Sequence, residues 1–212
     1  MLTNTGFAAT RIVFAGEQLA FLALESAQGG AQGPATDLNG DADTLDAVAC
    51  LLDPVSGKIT NLGQDALDLV GADELLLLLR PESGSGVDWN LDGDLDDVVV
   101  HAFDPLAGTT TNTAVASAGA FGATKHEVLL YADEAGERRD LDGDGDRLDT
   151  VFVRYDLTHR RSASSGLAGS GASGFAVLAS SGDFVLLANE AAQGRDLDGD
   201  GDLFDEVFHR AE

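Results

Sequence analysis

Cysteine, basic charge, long apolar runs and helical periodicity are all scarce in this chain, and each shortage narrows what it can be. The single cysteine, Cys50, forms no internal disulfide. That removes the cross-linked framework of small secreted modules but does not exclude secretion for 212 residues. The longest apolar runs, such as Leu19 to Leu24, fall far short of the roughly 20 residues that cross a bilayer, so no membrane insertion is expected. Twelve basic side chains stand against 37 acidic ones, for a net charge of -25. Nucleic acid and anionic membrane surfaces are thereby disfavoured as partners, because both need a basic patch. The segment after Met1 lacks the basic flank and sustained apolar region of a signal peptide.

The acidity is concentrated. Residues 37–46, 88–97, 140–149 and 196–205 hold 19 of the 37 acids and one base, Arg147. Within them a motif recurs as Asp37-Leu-Asn-Gly-Asp-Ala-Asp, Asn90-Leu-Asp-Gly-Asp-Leu-Asp, Asp140-Leu-Asp-Gly-Asp-Gly-Asp and Asp196-Leu-Asp-Gly-Asp-Gly-Asp, with starts 53, 50 and 56 residues apart. A largely apolar run ending at Glu25, Glu82, Glu134 or Glu190 precedes each motif, and a valine-bearing run follows. Such a period identifies a repeat architecture.

The flanking runs are short and rich in Val, Leu and Phe between Gly and Asp turns, which is the pattern of strands. In the second copy they predict strands over 66–70, 74–79, 98–103 and 109–116. The third copy repeats them around Phe121, 128–131 and 151–155, and the fourth over 175–178, 184–187 and 207–209. The expectation is an all-β domain, a β-propeller of four four-stranded blades: about 10–64, 66–116, 118–168, and 174–210 completed by 2–9. The fourth copy stops after its third strand, and Leu2-Thr-Asn-Thr5 resembles the fourth strands Ile59-Thr-Asn-Leu62 and Thr110-Thr-Asn-Thr113. An N-terminal strand closing the last blade would hide an exposed edge. Two chains joined into an eight-bladed homodimer are the alternative to a closed monomer, and a sandwich or open array is the alternative architecture. The Gly and Ser run from Leu167 to Gly174 reads as a flexible connection.

The strand plan, with Asp53-Pro-Val-Ser-Gly57 and Asp104-Pro-Leu-Ala-Gly108 turning third strands into fourth, resembles TolB-type, WD40-like propeller blades over the whole chain. The acidic loops resemble the calcium hairpins of integrin-type and FG-GAP repeats. Calcium takes six to eight oxygen ligands in irregular geometry, and Asp at alternating positions of a tight loop aims several carboxylates at one centre. The candidate ligands are Asp37, Asn39, Asp41, Asp43 and Asp46; Asn90, Asp92, Asp94, Asp96 and Asp97; Asp140, Asp142, Asp144, Asp146 and Asp149; and Asp196, Asp198, Asp200, Asp202 and Asp205. Glu25, Glu82, Glu134 and Glu190 are placed to reach across the same hairpins. About four Ca2+ ions are expected, one per loop. The second loop reads as two residues shorter and so as the weakest or differently built site. An EF-hand is excluded by Val151 and Val207 at the position of its closing Glu and by the strand-like flanks. Magnesium suits the loops less, since it demands near-octahedral geometry, and zinc is disfavoured by the absence of Cys and His there.

Outside the loops, His101 and His209 occupy equivalent places in two copies, matched by Cys50 and Val153. Equivalent positions in different blades should not converge, so packing is the reading for them. His126 and His159 receive no role. Asp65, Asp68, Asp73 and Asp183 sit where Asp is an ordinary turn residue. Trp89 has the chemistry to stack on a sugar, but a Trp beside a turn more often packs. No nucleophile with a base, and no carboxylate pair isolated from the loops, stands out. The functional expectation is a non-catalytic binding or interaction module with structural calcium, engaging a protein or glycan ligand. A glycosidase or lyase working in the central channel is the alternative. Millimolar calcium outside the cytoplasm makes an extracellular or periplasmic location the expected one.

Overall fold

A computed structural model describes residues 4–29, 35–124, 126–169, 176–178 and 184–211. Strands β1 (Ala9–Ala15), β2 (Gln18–Leu24), β3 (Ala47–Leu52) and β4 (Ile59–Asp65) form an antiparallel meander in chain order. The next meander comprises β5 (Asp68–Ala72), β6 (Leu75–Pro81), β7 (Val98–Asp104) and the long β8 (Thr109–Ala123). β8 continues into a third meander with β9 (Glu127–Asp133), β10 (Thr150–Asp156) and β11 (Arg161–Gly169), so that the two meanders share one seven-stranded sheet. Strands β12 (Ala176–Leu178), β13 (Phe184–Asn189) and β14 (Glu206–Ala211) make the last sheet.

The boundary expected between residues 116 and 118 therefore falls inside one strand. Ala116 still pairs with Val99 of β7, whereas Ser117 pairs with Ala132 of β9. Ala116 and Ser117 are consecutive residues of β8, so the strand runs on while its pairing partner changes.

Each strand following a Glu-terminated run is reached through a single helical turn. A 3-10 turn spans Glu25–Ala27, and α1 (Glu82–Ser85), α2 (Glu134–Glu137) and α3 (Glu190–Gln193) occupy the same place in the later sheets. These turns had no periodic sequence signal because they are only three or four residues long.

Packing explains the apolar runs. In β6, Leu76, Leu77 and Leu78 have no exposure at all, because both faces of this strand are covered. Leu76 and Leu78 pack with Leu22, Ala49 and Leu69 towards the first meander; Leu77 packs with Val100, Leu130 and Val153 towards the third meander. Each such leucine contributes about 1.5–3 kcal/mol by leaving water. The first two sheets meet closely where Gly71 faces Phe14: a Cβ at Gly71 would lie 1.8 Å from the Phe14 carbonyl oxygen.

The expected N-terminal closing strand is not among the described contacts. Residues 4–8 carry no strand, and the Ala8 carbonyl accepts the Leu24 amide of the first sheet at 3.2 Å. Residues 2 and 3, the expected strand start at Phe175, Asp183 and most of the 167–174 run lie outside the described residues.

Candidate metal centre

Each acidic loop joins the second and third strands of its meander, and each is organised around one glutamate. Glu25, Glu82, Glu134 and Glu190 have no exposed surface. Their amides donate to the carbonyls of the last loop aspartates, Asp46, Asp97, Asp149 and Asp205, at 2.9 to 3.1 Å. Their side chains then turn into the loop. Glu25 Oε1 accepts the amides of Leu38 (2.5 Å) and Asn39 (3.3 Å). Glu134 Oε1 accepts those of Leu141 (2.5 Å) and Asp142 (3.4 Å), and Glu190 Oε1 those of Leu197 (2.6 Å) and Asp198 (3.2 Å). Glu82 Oε1 takes the amides of Trp89 and Asn90. One buried carboxylate oxygen thus holds each loop in place by charge-assisted hydrogen bonds.

The same carboxylates lie among the loop aspartates. Glu25 groups with Asp43 and Asp46, Glu82 with Asp94 and Asp97, and Glu134 with Asp146 and Asp149, each set presenting oxygens within 4.8 Å of one another. Asp142, Asp144 and Asp149 form a further such set. Glu25 Oε2 and Glu134 Oε2 also accept the amides of Asp46 (3.2 Å) and Asp149 (3.3 Å). Glu82 Oε2 and Glu190 Oε2 are buried with no partner. An orphaned carboxylate oxygen without solvent is costly unless a cation satisfies it. The residues present therefore fit a hard, oxygen-seeking divalent ion.

The loop hydrogen bonds correct the register of the second copy. Asp37 Oδ2 accepts the Ala42 amide, Asp140 Oδ2 that of Gly145, and Asp196 Oδ2 that of Gly201; in the second loop this acceptor is Asp88, which takes the Gly93 amide at 3.0 Å. Asn90 Oδ1 accepts the Asp92 amide as Asn39, Asp142 and Asp198 accept those of Asp41, Asp144 and Asp200. Asn90 is thus the third loop position, and the second loop has the same ten-residue length as the others, 88–97. Asp88 is the residue that sequence reasoning missed. Its signal was the spacing of Asp88, Asn90, Asp92, Asp94 and Asp97, masked by an alignment on the Leu-Asp-Gly-Asp string. Asp96 falls where Leu45, Leu148 and Phe204 stand, each donating its amide to the aspartate two residues earlier, and it is exposed.

Charge within the loops is high. Burial, reinforced by neighbouring carboxylates, pushes Asp46, Asp97 and Asp149 at the tenth loop position up to about 6. Asp142 is also raised, by burial first and then by Asp144, Glu134 and Asp140. Asn39 and Asn90 soften this in their loops by donating to Asp46 (3.1 Å) and Asp97 (3.0 Å). The second loop carries a further cation: Arg138, just past α2, places Nε 3.0 Å from Asp92 Oδ2 and bonds Asp94 through Nη2. Past α3 the residue equivalent to Arg138 is Gly194, so no cation reaches the third loop this way; Gln193, the counterpart of Glu137, donates its amide to Asp142 at 3.1 Å.

The remaining polar candidates are structural. His101 is buried, its ring 4.9 Å from Trp89 and its Nδ1 3.4 Å from Arg80 Nη1; burial and then Arg80 push it down to about 3, so it is neutral. Arg80 also lies 5.0 Å over the Trp89 ring and pairs with buried Asp65 at 2.7 Å. Trp89, whose indole donates to Ser85 at 3.0 Å, is part of this packing. Cys50 sits apart in a cluster with Phe21 and Ala23, and burial raises its thiol to about 11. Asp68 pairs with Arg11, Asp73 turns β5 into β6 at φ 54°, and His159 pairs with Asp156. His126 is exposed.

No family model matches this sequence, and no curated protein matches it. Solved structures do resemble it. The β-propeller domain of the Trilobed protease from Pyrococcus furiosus, described as having an open velcro topology, is 7% identical with a TM-score of 0.52, over 99% of this chain and 56% of that one. Tricorn protease is 11% identical at a TM-score of 0.49, over 94% of this chain and 16% of that one. Synechocystis apocarotenoid oxygenase is 13% identical at 0.45, over 97% and 53%. The chain spans little more than half of the first of these at most. The similarity shows the fold, a β-propeller architecture.

Proposed function

We propose that this β-propeller chain is a calcium-binding, non-catalytic binding module of four blades, with one Ca2+ holding each loop between second and third strands. The observation that carries the reading is the pair of buried, unpartnered oxygens Glu82 Oε2 and Glu190 Oε2 in loops crowded with aspartate. The same loop-clamping glutamate in the other two copies supports it. Calcium is favoured over magnesium because the oxygens come from a loop of irregular geometry, and over zinc because no Cys or His takes part.

The second site is the weakest in this reading, since Arg138 already neutralises Asp92 and Asp94. The ring closes through the N-terminal segment, as a monomer or as an eight-bladed homodimer, and the four loops share one rim. A protein or glycan ligand and a calcium-rich extracellular or periplasmic setting complete the proposal.

The test is a calorimetric calcium titration of chelator-stripped protein with melting followed at each point. Uptake of three to four ions with a higher melting temperature is expected, because a ligand bound only by the folded state stabilises it. No uptake with an unchanged melt overturns the proposal.

A further inference from the structure

Basic residues are few in this chain, yet several gather at one groove. A cavity of about 710 Å³ opens beside the second loop, where β8 meets the β10–β11 turn; Arg139, Arg160 and Arg161 line it together with Asp92 and Glu137, two carboxylates already paired with Arg138 and Arg139. Arg139 is held by Glu137, whose other oxygen accepts the Ala116 amide at 2.7 Å. Arg160 and Arg161 are exposed, and among the described residues neither makes an ion pair. In a chain of net charge -25, carboxylates to pair with are plentiful. Two guanidinium groups left uncommitted on one cavity wall point to an anion supplied from outside.

The backbone marks the same place. Leu91, Ala114 and Arg160 all line the groove in the left-handed conformation, at φ 64°, 53° and 52°. The other repeats use glycine at these positions: Gly40, Gly143 and Gly199 for Leu91, Gly63 and Gly166 for Ala114, and Gly57 and Gly108 for Arg160. Side chains are kept here against a backbone preference that the other copies obey, and such departures concentrate at functional sites.

We infer that this groove binds an acidic oligosaccharide, its carboxylate or sulfate groups paired with Arg160 and Arg161 and its hydroxyls within reach of Ser162. The volume is that of a ligand cavity and exceeds what one inorganic anion fills, and the predominantly polar wall suits a hydrated ligand over an apolar one. A long polyanion such as nucleic acid would meet the acidic loops beyond the groove, whereas a short one stays beside Arg160 and Arg161, the carboxylates of the same wall being paired with Arg138 and Arg139. The inference rests on the binding-module reading; Asn90 and Asp92 of the second loop share the wall, so the groove is tested with calcium present.

The experiment is calorimetric titration of the calcium-loaded protein, at about 0.15 M ionic strength so that the distant acidic loops are screened, with trigalacturonate, with a sulfated chondroitin tetrasaccharide and with inorganic sulfate. The comparison protein is the double variant R160G/R161A, in which position 160 takes the residue of the other repeats. The expected result is saturable one-to-one binding of at least one sugar, weakened tenfold or more in the variant, while its calcium-dependent rise in melting temperature is unchanged. The tighter-binding sugar identifies carboxylate or sulfate as the anion. No binding of either sugar, equal binding by the variant, or sulfate binding as tightly as the sugars overturns the inference. Failure of the calcium reading registers separately, as loss of the metal-dependent melting shift in the wild-type protein.

Discussion

Replacing Glu134 tests the central structural argument, because its carboxylate is asked to do two separable things. Oε1 and Oε2 together accept three loop amides, from Leu141, Asp142 and Asp149. In Glu134→Ala all three lose a charged acceptor, and at about 1.5–3 kcal/mol for each such bond the loss is at most about 4.5–9 kcal/mol. That is a large part of the stability of an ordinary domain, so the third loop should open in the ion-free protein even where the rest of the chain stays folded.

Glu134→Gln is the milder probe. Its carbonyl oxygen can still accept from Leu141 and Asp142, but an NH2 group now faces the Asp149 amide, and the negative charge is gone. An expected loss of about 2–3 kcal/mol lowers the melting temperature by about 4–12 °C in chelator for a chain of this size. In calcium the gap between wild type and Gln variant should widen, since one ion is no longer held. Calorimetry with and without chelator, together with hydrogen exchange of the Leu141 and Asp142 amides, reads both effects. Unchanged exchange at these amides in Glu134→Ala refutes the clamp. An equal melting shift in calcium and in chelator for Glu134→Gln refutes the metal role and leaves the clamp standing.

The register of the second loop gives a paired test: Asp88→Ala should lower the melting temperature as Asp140→Ala does, whereas Asp96→Ala should leave stability within about 0.5 kcal/mol of wild type, as expected of an exposed position. Removing Arg138 uncovers Asp92 and Asp94, so Arg138→Ala should raise calcium affinity at the second site while destabilising the ion-free protein; an unchanged titration contradicts its role as resident cation. For pH, Asp46, Asp97 and Asp149 have folded pKa values raised to about 6, above their ordinary 3.8. The folded state therefore binds more protons between these values, and the ion-free protein should melt higher at pH 5 than at pH 7, with calcium affinity moving the opposite way. Cys50, buried and raised to about 11, should resist alkylation in the folded protein and react only on unfolding.

The repeat period, the strands and the acidic loops were legible in the sequence because each follows from local chemistry. Apolar alternation of period two defines strands such as β9 and β10, and Asp at every second residue defines a loop whatever surrounds it. The four glutamates were visible as repeated residues at the ends of apolar runs. The second loop's start was also local, since Asp88 accepts the Gly93 amide five residues on, and it was present in the spacing of Asp88, Asn90, Asp92, Asp94 and Asp97. Two things depended on tertiary contacts. The fusion of two blades through β8 was decided by pairing partners, since an extended strand can hydrogen-bond on either edge without a change in its own sequence. The approach of Arg138 to Asp92 and Asp94, and of Arg160 and Arg161 to one groove, joins residues 20 or more positions apart through the packing of neighbouring sheets. The sequence alone determined what each repeat unit is made of, because strand and loop chemistry are local; how neighbouring units meet, and hence where charge is compensated and where it is left open, was decided only by the tertiary structure, because those contacts are set by the geometry between sheets.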